Sequence, residues 1–408
     1  MVVKLRINKL ARGQRLSSDG VAFILRAMIL VGYPLAAMLA TVAGTNSVQF
    51  TYPFRAFVVV LAIILLALSH NSKERNRFDK LLVCFFLAYL SRLIYDWQFA
   101  HNPFAKDALV YYLSLVFIPV LASMSAGGIT FKQERLLAKS SIVIATVVIF
   151  SAFVLQIFGL TYNPWEEQGV ELDRLWFEAL NPISLGHVAG LAFLSSFYLA
   201  FEAKGEPMWI RRLSILALGF AIVMLLYANS RGPILAVIMA LSCYFFFRLK
   251  RILLLFPVII TVLYLILTNN FFITAITERF LGAGLADDLS GRDRIDVQAA
   301  AIKAFVDNPF FGAYFLDPAM TLGDYPHNVS IETAMALGIL GIGILSAIFI
   351  KVVYRMFVFY IQQHPFLAML IVQQFIATSL SGAIWGSDAF FLVLSLCLTA
   401  PLKNKKYL

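Results

Sequence analysis

The sequence predicts an all-α polytopic membrane protein with about twelve transmembrane helices. Three observations carry that expectation. Hydrophobic residues make up 61% of the 408 and charged residues 14%, against roughly 45–50% and about 25% in an ordinary soluble domain. The apolar excess falls in runs of about 15 to 25 residues, the length that crosses about 30 Å of hydrocarbon. Lysine and arginine gather in every second connection between those runs, which is the charge pattern of a chain that weaves through a bilayer.

In chain order the runs are Val21 to Ala43, Phe54 to Ser69, Leu81 to Tyr95, Ala108 to Ser125, Ser140 to Leu160 and Ile183 to Phe201. Leu213 to Tyr227, Ile234 to Phe247, Ile252 to Thr268, Val329 to Ile350, Phe366 to Leu380 and Ala389 to Pro401 follow. The expected organisation is a basic cytoplasmic tail over residues 1–20, nine spans over 21–268 and a large periplasmic loop over 269–327. Three more spans occupy 328–402, and a second basic cytoplasmic tail 403–408. The first apolar run is too long, and wrongly flanked, for a cleaved signal peptide, so it reads as a retained anchor. Twelve spans of about twenty residues use about 240 residues. Little chain remains for a soluble domain.

The connections on one side hold 23 of the 33 lysines and arginines. The opposite side holds Lys106, Arg174, Arg231, Arg279, Arg292, Arg294 and Lys303, while Arg26, Arg55 and Arg92 lie in or at the edge of spans. The positive-inside bias then puts both termini in the cytoplasm and these seven residues outside. It also accounts for the net charge of +10, so basicity gives no support to a nucleic-acid partner. Cys84, Cys243 and Cys397 all fall inside apolar runs, which indicates neither a disulfide framework nor a thiolate metal site. No Walker loop is present, which argues against an ATP-driven pump.

The long outer loop carries helical patterning from Arg294 to Phe305 and turn signals at Asn308-Pro309 and Asp317-Pro318. A small helical cap over the membrane surface is expected there. A second loop, Thr161 to Asn181, contains Arg174 and five acids.

Three elements on the predicted outer face have side chains suited to chemistry. Arg231 sits in Asn229-Ser230-Arg231-Gly232-Pro233, a short turn between two apolar runs. Its guanidinium either reaches a ligand at the interface or snorkels to lipid headgroups. Ser290-Gly291-Arg292-Asp293-Arg294 brings two forked cations close together, suited to bidentate capture of phosphate oxygens or to pairing with the surrounding aspartates. Pro326-His327-Asn328, followed by Glu332, Gly338 and Gly341, opens the tenth span. A neutral imidazole there can accept a proton from a hydroxyl nucleophile, and the alternative is a helix-end histidine. Asn328 and Glu332 are possible supporting residues on one helix face, and the two glycines would admit a close neighbouring helix. His70, His101, His187 and His364 read as structural. Arginines with one base and no metal set fit transfer from a lipid diphosphate, a good leaving group that needs charge compensation.

These motifs resemble those of the bacterial O-antigen polymerase and O-antigen ligase family. The matching pieces are Asn181-Pro182-Ile183, Ser230-Arg231-Gly232-Pro233, Gly291-Arg292, Asn308-Pro309 with Gly312, and His327-Asn328 with Gly338 and Gly341. The resemblance implies a GT-C-like, metal-independent, cofactor-free inverting glycosyltransferase of the bacterial inner membrane. Its donor would be a glycan on undecaprenyl diphosphate at the periplasmic face. Arg231, Arg292 and Arg294 would hold the diphosphate, His327 would deprotonate the acceptor hydroxyl, and Arg174 could assist. The acceptor would be another lipid-linked repeat unit in a polymerase, or lipid A-core in a ligase of lipopolysaccharide biosynthesis. Tyr325-Pro326-His327-Asn328 inclines the reading to polymerase. A lipid-linked glycan flippase that binds its cargo through Arg231 and Arg292 is the alternative of another class, and Arg26 and Arg92 inside spans are further features it would use.

Overall fold

The computed structural model describes residues 18–70, 78–160, 177, 180–203, 205–249, 289–318, 324–356 and 364–400. Among these residues the chain is helical, apart from one isolated antiparallel bridge between Phe177 and Leu180. Eight helices are long and apolar enough to span a membrane: α1 (Ser18–Val42), α2 (Val48–Ser69), α3 (Lys80–Gln98), α4 (Ala105–Ser125), α5 (Phe131–Ile157), α6 (Pro182–Glu202), α7 (Met208–Tyr227) and α10 (Val329–Arg355). Shorter apolar helices are α8 (Arg231–Leu249), α11 (Pro365–Ser381) and α12 (Asp388–Thr399). The remaining helix, α9 (Leu289–Asp307), belongs to the loop before α10. The molecule is thus a polytopic all-α membrane protein. The expected span 252–268, the loop with Arg174, and both basic tails lie largely or wholly outside the described residues.

The apolar runs set the helices, and polar residues set their ends. Thr130 and Gln133 form a capping box that starts α5. Asn181 caps α6 through a 2.8 Å bond from the Ser184 N–H to its Oδ1, with Pro182 in the first turn. Gly186 and Gly190 give α6 a small-residue face. A Cβ at Gly186 would lie 2.7 Å from Pro233 Cγ, and one at Gly190 would lie 3.0 Å from Val237 Cγ2. Close approach of α8 therefore requires both glycines, as in other membrane helix pairs.

Cations inside the bundle are spent on backbone. Arg26 donates to Ser123 Oγ at 3.0 Å, to the Ser123 carbonyl at 3.1 Å and to the Gly127 carbonyl at 2.5 Å. Arg92 donates to the carbonyls of Ala336, Phe311, Ala313 and Gly312 at 2.8, 2.7, 3.1 and 3.2 Å. The bonds to carbonyls satisfy acceptors that lipid could not.

The Ala336 carbonyl gripped by Arg92 lies beside a break in α10 at Gly338, where φ is +64° and ψ −156°. The Ile339 N–H instead reaches the Pro309 carbonyl at 2.7 Å, and the Ala313 N–H takes the Met335 carbonyl at 2.8 Å. The Asn308-to-Ala313 loop is thereby stitched into the break. This corrects the sequence reading of Gly338 and Gly341 as a helix-packing pair. A Cβ at Gly338 would fall 2.5 Å from the Phe310 carbonyl carbon, and one at Gly341 would fall 2.3 Å from Leu337 Cβ across the kink. Both glycines serve the bend and its loop.

The bundle has two unlike ends. The end bearing the start of α6 and α10 carries His327. The other carries Arg135 and Lys139 bonded to Glu206 at 2.7 and 2.8 Å, Lys351 paired with Asp79, and Arg355 capping α12 through the Cys397 carbonyl at 2.7 Å.

Candidate active site

His327 sits two residues before α10 in a left-handed backbone conformation, φ +54°. A non-glycine residue pays strain there, so neighbours must hold it. Upstream, the Tyr325 hydroxyl donates to the Ser381 carbonyl at 3.1 Å, and Gln298 Nε2 of α9 donates to the Pro326 carbonyl at 3.0 Å. Downstream, Asn328 caps α10, its Oδ1 accepting from the Ser330 and Ile331 N–H groups at 2.9 and 3.1 Å. Its Nδ2 donates to the Ser379 carbonyl at 2.9 Å. The histidine is therefore not the cap; it is the strained residue between two anchors on the C-terminal turn of α11.

Glu332 lies on the first turn of α10 and is buried. Its carboxylate accepts from the Tyr89 hydroxyl at 2.5 Å and the Ile384 N–H at 2.7 Å. It ties α10 to α3 and to the α11–α12 connection. These bonds hold the start of α10 in place, and Glu332 is not among the residues that line the cavity.

A cavity of about 400 Å³ opens beside His327. Among the expected site residues, His327 and Arg294 line it, and so does Asn181. Arg294 bonds the Leu380 carbonyl at 3.4 Å. A Cβ on Gly232 would lie 3.6 Å from Leu380 Cδ1, so Arg231, the first residue of α8, stands against the same helix end without lining the cavity. Arg292 falls on the first turn of α9; its side chain, and Arg174, lie outside the described residues. A larger, more open groove of about 510 Å³ runs along α3 past Phe78, Lys80 and Cys84. It holds none of the expected chemistry.

The cavity also holds residues the sequence reading passed over. His187 lines it from α6, with both ring nitrogens buried and without a hydrogen-bond partner. Arg55, Tyr111, Trp385 and Asp388 line it as well. His364, by contrast, is structural, its Nδ1 lying 2.7 Å from buried Glu134 at the opposite end.

The electrostatics favour a neutral imidazole. Burial, reinforced by the nearby Arg294 charge and opposed by Asp324, pushes the His327 pKa down to about 4. Burial likewise pushes the Tyr325 hydroxyl up to about 12, so it stays a donor. His327 Nδ1 is buried without a partner, and the Tyr325 ring lies against the imidazole, 4.0 Å away between centroids and tilted by 46°.

Residues 216–346 match the family model described as O-Antigen ligase. That segment contains Arg231, Arg292, Arg294, His327, Asn328 and Glu332, whereas Arg55, His187 and Trp385 lie outside it. No curated protein matches the chain. Across residues 216–346 the chain is thus similar to the O-antigen ligase family.

Proposed function

We propose that the protein transfers a glycan from an undecaprenyl-diphosphate donor to an acceptor hydroxyl, with inversion and without a metal, at the periplasmic face of the bacterial inner membrane. The observation that carries this reading is the neutral, strained His327 in a cavity it shares with Arg294. The diphosphate would sit against Arg231, Arg292 and Arg294, where charge compensation favours its departure. His327 would take the proton from the incoming hydroxyl as that oxygen bonds the anomeric carbon and the carbon–phosphate oxygen bond breaks. The basic cluster of Arg135, Lys139, Lys351 and Arg355 at the opposite end of the bundle supports a periplasmic His327 end and cytoplasmic termini.

Polymerisation onto a second lipid-linked repeat is the favoured form, from the Tyr325-Pro326-His327-Asn328 motif. Ligation to lipid A-core is the second reading, favoured by the description of the matching family. Deleting the gene and resolving lipopolysaccharide on a gel separates them. Core plus one repeat indicates a polymerase, and bare core with accumulating lipid-linked polymer indicates a ligase. The engagement of Arg26 and Arg92 with backbone carbonyls counts against their use by a flippase.

A further inference from the structure

The cavity wall built by α2, α4 and the start of α12 carries polar groups that the transfer step does not use. Arg55 lays its guanidinium over the Tyr111 ring at 4.1 Å, with the Tyr52 and Tyr33 rings at 5.2 and 6.0 Å. Its Nε is buried and has no hydrogen-bond partner. From Tyr111 a run of rings leads back to the candidate base: Tyr111 to Trp385 at 5.5 Å, Trp385 to Tyr325 at 5.9 Å, and Tyr325 to His327 at 4.0 Å. Asp388 lines the same cavity, and its Oδ1 accepts the Ala389 N–H at 2.8 Å.

This combination recognises a particular chemistry. Aromatic faces accept the C–H side of a sugar ring, a planar guanidinium held on an aromatic face offers donors in a fixed fork, and a carboxylate accepts from hydroxyls. A cation alone would suit an anion. The Asp388 carboxyl group in the same cavity hydrogen-bonds hydroxyls in either protonation state, which a purely cationic site would not offer. A buried donor without a partner is costly, and a ligand acceptor would remove that cost.

We propose that Arg55, Tyr111, Trp385 and Asp388 form a subsite for a neutral, hydroxylated sugar ring, contiguous with His327. The proposal rests on the reading of the cavity as a glycan-transfer site and locates where a ring of the donor or acceptor glycan lies.

Saturation-transfer NMR on the purified full-length protein tests it, using oligosaccharides released by mild acid from the surface polysaccharide of the producing cells. Wild type and His327→Ala should give ring-proton signals. Arg55→Gln and Trp385→Leu should reduce them about fivefold or more, while Trp385→Phe, which keeps a stacking face, should restore most of the signal. If adding lipid-linked donor abolishes the signal the ring belongs to the donor; if it does not, the ring belongs to the acceptor, and either result upholds the subsite. Signals that survive in both Arg55→Gln and Trp385→Leu overturn it. So does a wild type that binds no oligosaccharide but loses inorganic pyrophosphate binding on Arg55→Gln, which would make this an anion site. Binding is read without turnover, so normal transfer by His327→Ala would defeat the catalytic reading and leave this test standing.

Discussion

The Tyr325 ring lies 4.0 Å from the His327 imidazole, between centroids, and the Tyr325 hydroxyl donates to Ser381 at the end of α11. One residue thus fixes the plane of the ring and anchors it to the helix end that also receives Arg294. Tyr325→Phe keeps the ring and removes the anchor, a buried bond worth roughly 1 kcal/mol. It should lower turnover several-fold with donor affinity intact, measured by initial rates and donor binding in parallel.

The depressed His327 pKa makes a signed prediction. The base is neutral above its pKa, so kcat/KM should hold steady at neutral pH and fall only as pH drops through about 4. The sequence alone places that fall near 6.5, the value of an unperturbed imidazole. Arg294 lowers the pKa, so Arg294→Gln should move the acid limb upward. A wild-type limb near 6.5, or a limb unmoved in Arg294→Gln, contradicts the electrostatic account.

In the proposed mechanism the arginines that hold the diphosphate should behave differently from the base. Arg231→Ala and Arg292→Ala should each weaken donor binding and transfer by about 1.5–3 kcal/mol, roughly ten- to a hundredfold. Arg231→Lys should recover little, because a point charge lacks the bidentate fork. Donor titration of the purified variants measures it, and unchanged affinity in Arg292→Ala would leave the role to Arg294.

Gly338→Ala should destabilise the fold without touching the cavity. A Cβ there meets the Phe310 carbonyl carbon at 2.5 Å in a backbone region that disfavours side chains. Strain of about 1–3 kcal/mol is expected before the clash is counted. A thermal melt in detergent reads it, and an unchanged midpoint would refute the stitched-loop description.

Much of this architecture was legible because the membrane simplifies the code. Apolar runs such as Val329 to Ile350 and Phe366 to Leu380 become helices with nearly the same ends, since backbone in lipid has no other partner. Arg294 and His327 were legible because cations and imidazoles near a membrane surface stand out. His187, Arg55 and Trp385 were not, because their meaning lies in the convergence of helices far apart in the chain. The break at Gly338 was hidden for a similar reason. Its cause is the Pro309 carbonyl arriving from the loop, and a glycine inside an apolar run looks the same whether it packs a helix or bends one.

In the proposed mechanism His327 acts on the incoming hydroxyl and not on the donor. Donor binding and turnover of purified His327→Ala, measured in the same detergent, separate the two roles. Donor affinity should stay within a few-fold of wild type and turnover should fall by roughly 10²–10⁴, the contribution of a positioned base. Normal turnover, or a collapse of donor affinity alongside turnover, would rule that mechanism out.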